Sequence, residues 1–171
     1  MKRLVIVVVA VFVAASLLWV ALPPRATADA PTGSFSMGPP NTAENSSSET
    51  ITVAGSGSFD EEGGTVVASG SFTRFTAAGA VIDKGTWEAT DFIDFNNTGF
   101  GGPNPGFQGG VLSIEVTLFP RGGPPETDVT MTITCCISPP GACTEGITVV
   151  GTDEGDFTIV ISGLNLIHLT P

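Results

Sequence analysis

Basic residues are scarce in this chain, and their placement is uneven. Of six Lys and Arg in 171 residues, Lys2, Arg3 and Arg25 precede all 17 acidic residues, which begin at Asp29. From Asp29 onward only Arg74, Lys84 and Arg121 oppose those 17 acids, a net charge of −14. Such a surface repels phosphate, which excludes nucleic acid as a partner class. Tyrosine is absent and histidine occurs once, as His168. A Ser–His–acid triad needs a histidine held by a third group beside a nucleophile. No Gly-x-Ser-x-Gly elbow accompanies His168, so it reads as a surface or edge-strand residue. The three cysteines, Cys135, Cys136 and Cys143, lack the CxxC spacing of a metal site. After Leu22 no stretch carries a helical period of useful length.

What is present begins with an uncharged run from Leu4 to Leu22 behind Met1-Lys2-Arg3. Pro23-Pro24 would end a hydrophobic helix here, since proline removes an amide donor and clashes with the preceding turn. Ala26-Thr27-Ala28 fits the small-x-small pattern of a signal-peptide cleavage site after Ala28. The run is long for a signal peptide and near the length that spans a bilayer. Residues 1–28 are therefore expected to be a signal peptide or a membrane anchor, the former favoured, with the remainder extracytoplasmic. Membrane contact is expected through residues 4–22 alone. Residues 29–49, rich in Ser, Pro, Gly and Asn, read as a disordered linker. Asn45-Ser46-Ser47 and Asn96-Asn97-Thr98 match the N-glycosylation pattern, but such triplets are common in plain loops.

Residues 50–171 alternate between apolar and polar positions. Leu112, Ile114, Val116 and Leu118 would share one face of a strand, and Val129, Met131, Ile133 and Cys135 one face of the next. Gly122-Gly123-Pro124-Pro125 turns the chain between them. Further strands are expected at 51–59, 64–76, 80–95, 145–150, 156–161 and 164–169, about eight in all. Long strands, interior glycines and short connections favour an all-β antiparallel meander closed into a barrel, over a two-sheet sandwich.

Four groupings carry candidate chemistry. Cys136 and Cys143 flank a proline-containing turn, and a disulfide between them is favoured, with Cys135 a buried thiol. Cys135–Cys143 pairing, or no bridge, are the alternatives. Asp91, Asp94 and Asn96, before a glycine-rich loop, offer oxygen ligands for calcium, the one cofactor considered. They match no calcium-loop pattern, and unbroken alternation would put the two aspartates on opposite faces. Trp87, Phe100 and Phe107 crowd that long loop, Gly99 to Gly110, and would line a ligand site at a barrel mouth. The fourth is acidic catalysis, for which two acids, or one acid and His168, must converge in one pocket. The favoured role is non-catalytic binding of a small ligand or a cell-surface partner. A cyclase- or isomerase-like barrel enzyme, a carboxylate-based hydrolase, and a structural or adhesive surface module are the alternatives.

Overall fold

The computed structural model describes residues 32–101, 106–137 and 143–170. The hydrophobic segment and Ala28 lie outside them. Among the described residues no helix is long and apolar enough to cross a membrane. The architecture is all-β. Among the described residues nine strands run in chain order: β1 Thr32–Asn45, β2 Thr50–Asp60, β3 Thr65–Phe75, β4 Val81–Gly101, β5 Gln108–Pro120, β6 Glu126–Cys135, β7 Gly146–Val150, β8 Phe157–Ser162 and β9 Asn165–Thr170. Every observed pairing is antiparallel. The sheet closes into a ring of eight strands, so the domain is a barrel and not a two-sheet sandwich.

Closure depends on a strand that lies in the expected linker. β1 pairs with β2 along one edge, from Thr32 opposite Asp60 to Glu44 opposite Thr50. Its other edge is shared: Thr32–Met37 pair with β9, and Thr42–Asn45 pair with β8. β8 and β9 are both antiparallel to β1, so they form one interrupted stave broken at Gly163-Leu164. The break faces a register shift in β1 between Met37 and Asn41, where Pro39 and Pro40 cannot donate ladder hydrogen bonds. Residues 32–45 are therefore an ordered strand and not part of a disordered linker. Their inward positions are Phe35 and Met37 followed by Asn41, Ala43 and Asn45, a sequence with little apolar contrast.

The interior is filled by side chains. Phe35, Ile51, Val53, Phe59, Phe72, Trp87, Phe95, Leu112, Ile114, Leu118, Met131, Ile133, Val149, Phe157 and Ile167 are all buried, from every strand of the ring. Full burial of such a side chain contributes about 1.5–3 kcal/mol relative to exposure. Glycines on β2 and β3 make room for the largest of them. The Trp87 indole lies over Gly55 and Gly70, and its Nε1 donates to the Ala54 carbonyl at 3.1 Å. That bond satisfies the one polar atom of a fully buried tryptophan.

Candidate functional site

One end of the barrel is held by a buried arginine. Arg74 follows Phe72 by two residues on β3, so strand alternation turns it inward, and its side chain is 1% exposed. Its Nε donates to Asp83 Oδ1 at 2.8 Å, and Nη2 donates to Asp83 Oδ2. Nη2 also donates to Glu126 Oε1 at 2.6 Å, and Nη1 to Glu126 Oε2 at 3.1 Å. The remaining Nη1 proton goes to Glu154 Oε2. All five guanidinium N–H groups are thereby used. The guanidinium also lies 5.3 Å from the Phe72 ring centroid, a cation–π contact from within its own strand.

Each carboxylate reaches this point by a different local device. Asp83 shares the inward parity of Trp87 on β4. Glu126 is turned inward by an irregularity between β5 and β6, where Asp128 adopts φ 59°. Glu154 sits in the β7–β8 loop, whose backbone is tied down by Asp153 N donating to Glu126 Oε2 and by Asn45 Nδ2 donating to the Glu154 carbonyl. Burial pushes the Glu154 carboxyl above its ordinary value; Arg74 offsets this in part, and the neighbouring Glu126 and Asp83 charges add to it. For Arg74, burial alone would lower the pKa, but the bonds to Asp83 and Glu126 more than reverse this and hold it charged.

Among the described residues this is the group of acids close enough to share a cation, their oxygens lying within 4.8 Å of one another. It borders an open cleft of about 300 Å³ that also touches Arg121 and Asp153. The position where such a cation would sit is taken by Arg74. Its single charge leaves the cluster at −2. With each carboxylate committed as an acceptor from Arg74, the geometry is that of a barrel clasp.

The expected site residues fall elsewhere, and they do not converge. Trp87 is sealed in the interior and presents nothing to a ligand. Phe100 lies near the end of β4, and its side chain is outside the described residues. Phe107 is half-buried beside β5, forms a bridge to His168 on β9, and meets the imidazole edge-on at 5.3 Å between centroids. Phe107 and His168 line an open surface dent of about 240 Å³ with Ser34, Ser36 and Leu166. This is on the outer wall, not in a barrel mouth. Much of the expected Gly99–Gly110 loop is strand, β4 running to Gly101, which pairs with Gln108.

Asp91, Asp94 and Asn96 are exposed on β4. Register shifts after Ala89 and Phe92 put Asp91 opposite Glu115, Asp94 opposite Ser113 and Asn96 opposite Val111. Those partners are successive outward positions of β5, so both aspartates face outward, contrary to unbroken alternation. They occupy separate rungs about 7 Å apart and form a column instead of a chelating cluster. Asn45 is no open glycosylation site either. Its Oδ1 accepts from Ser47 N and Glu49 N, capping the β1–β2 turn, and it is 4% exposed.

Cys136 and Cys143 are joined by a disulfide, and Cys135 is a buried thiol contacting the Asn165 carbonyl at 3.0 Å. On the outer wall, large apolar side chains gather on the interrupted stave. Ile159, Ile161, Leu164 and Leu166 are 49%, 54%, 48% and 45% exposed within eight residues of chain. Among the described residues the other exposed large apolar side chains are distributed over β3, β4, β5 and β7. No protein-family model, curated protein or solved structure matches this chain.

Proposed function

We propose that this protein is an exported, non-catalytic binding module that recognises a protein partner at the cell surface through the outer face of β8 and β9. The observation that carries the reading is the row Ile159, Ile161, Leu164 and Leu166, about half exposed along one stave. Exposed apolar side chains gathered on one element mark interaction sites in folded domains. Acids border it: Glu44 pairs with Ile159, Asp156 precedes β8, and Glu145 accepts from Asn165 N. With a net charge of −14 from Asp29 onward, two copies of the domain repel each other, as do the domain and an anionic lipid surface. The complementary partner has an apolar centre and a basic rim. The filled interior supports recognition on the wall over a ligand held inside the barrel. The saturated Arg74 cluster supports binding over carboxylate catalysis. The leader and the Cys136–Cys143 bridge support an oxidising extracytoplasmic compartment.

The test is binding of purified protein to cell-envelope fractions, with and without prior protease treatment of the envelope. Association should be protease-sensitive, weaken with added salt, and be lost in an Ile161→Glu/Leu166→Glu variant that keeps the β-sheet circular dichroism spectrum. Equal binding by wild type and variant would overturn the reading. So would a wild-type dimer dispersed by the two substitutions, or binding to protein-free anionic vesicles.

A further inference from the structure

The interrupted stave meets β1 over a pair of buried amides that the described residues satisfy only in part. Asn41 is 0% exposed, and neither its Nδ2 nor its Oδ1 has a partner among the described residues. Asn165, 1% exposed, donates from Nδ2 to the Thr134 and Gly146 carbonyls at 2.9 Å each, while its Oδ1 has no partner among the described residues. Both side chains converge on Gly146. A Cβ at Gly163 would lie 2.0 Å from Asn41 Oδ1 and 2.5 Å from the Gly146 Cα. Glycine at 163 thus lets the chain pass directly over the Asn41 amide. Reversing the Asn165 amide would set its oxygen against two carbonyls, so its orientation is fixed by those two bonds.

Buried polar groups in folded proteins are almost always paired, with protein or with ordered water. The demand at this seam is specific. Two amide oxygens need donors and one NH₂ group needs an acceptor. A cation would meet the oxygens and oppose the Asn41 NH₂; an anion would do the reverse. A water molecule donates twice and accepts, which matches this demand.

We infer that the seam between β1 and the β8–β9 stave is an internal hydration site, in which water bridges Asn41 and Asn165. It stands where ladder bonding is interrupted on both sides, between Met37 and Asn41 on β1 and at Gly163-Leu164. The direct bond across the gap is Gly38 N to the Leu164 carbonyl, 2.6 Å. Water therefore completes the closure of the barrel where the backbone cannot.

The experiment is solution NMR and water magnetic relaxation dispersion on the full chain in chelator-containing buffer. Asn41 side-chain amide protons should give cross-peaks to water with the sign of a long-lived complex, and Asn41→Leu should remove that part of the dispersion amplitude. If the leucine variant does not fold, Asn41→Ser is measured instead and should keep the cross-relaxing water through its hydroxyl. No water cross-peak at Asn41 would overturn the inference, as would dispersion equal in wild type and the leucine variant. In a matched sample without chelator, amide shifts that saturate on adding calcium or sodium would replace water with a cation and overturn it as well.

Discussion

A Cβ placed on Gly70 would lie 2.5 Å from Trp87 Nε1 and 2.0 Å from the Ala54 carbonyl oxygen. Glycine there is a packing requirement of the tryptophan and of the neighbouring backbone. Gly70→Ala is expected to destabilise the domain by about 1–3 kcal/mol, the range for overpacking a tight core. Gly55→Ala should behave alike, because its Cβ would sit 2.4 Å from the indole. Gly123, whose nearest neighbour would be Pro120 at 3.6 Å, is the control, with a change within about 0.5 kcal/mol. Urea unfolding midpoints at fixed pH compare the three.

Removing Arg74 leaves Asp83, Glu126 and Glu154 facing one another without a counter-charge. Breaking a buried pair by deleting one partner typically costs about 3–5 kcal/mol. Arg74→Met, which keeps much of the stem, is expected to fall in that range by urea unfolding at pH 7. Arg74→Lys should recover little, since an ammonium cannot form two bidentate carboxylate pairs. Equal stability of wild type and Arg74→Met would show that the clasp contributes nothing.

Alternation made most of this fold legible. β2, β3, β5, β6, β7 and β9 coincide with segments whose apolar residues recur every second position, because one face of each is buried in the barrel; β4 keeps that period only between its register shifts, and in β8 Ile159 and Ile161 face outward. β1 escaped that test because its second half points Asn41, Ala43 and Asn45 inward and carries two prolines at its register shift. The clasp was half visible. Arg74 falls on the face of Phe72, and Asp83 on that of Trp87, so parity alone places both inside. Glu126 and Glu154 could not be read the same way. The first is turned inward at an irregular stretch where Asp128 takes a left-handed backbone, and the second is positioned by a loop. Irregularities also moved Asp91 onto the outward face of Asp94. Period-two reasoning holds within a regular strand and fails at each bulge.

Glu154 gives the clasp a pH signature. Its folded-state pKa is raised above the ordinary 4.5, chiefly by burial. The folded domain thus binds this proton more tightly than the unfolded chain does. The stability from this group is fully present below about 4.5 and is lost as pH rises through the folded value. Glu154→Gln keeps an acceptor for Arg74 but cannot ionise. Its stability relative to wild type should therefore climb with pH just above 4.5 and then level off. Thermal unfolding of both proteins across pH 4–7 measures the difference. A difference that is flat across this range, or that falls with pH, would refute the assignment.

The cysteines differ in accessibility as well as in bonding. Cys136 and Cys143 are seven residues apart, so their bridge closes a short loop, for which chain entropy gives about 2–3 kcal/mol of stabilisation. Cys135 is buried between β6 and β9, and burial raises its thiol pKa, which reduces the thiolate fraction that reacts with alkylating agents. Intact mass after iodoacetamide should show no adduct on the native protein and one after denaturation without reductant. Three adducts should appear after denaturation with reductant. A Cys136→Ser/Cys143→Ser variant should unfold at lower urea by the stated amount while Cys135 stays protected in the native state. One adduct on the native wild-type protein would mean that the seam beside Asn165 opens readily, and the closed barrel would then be one of two populated states.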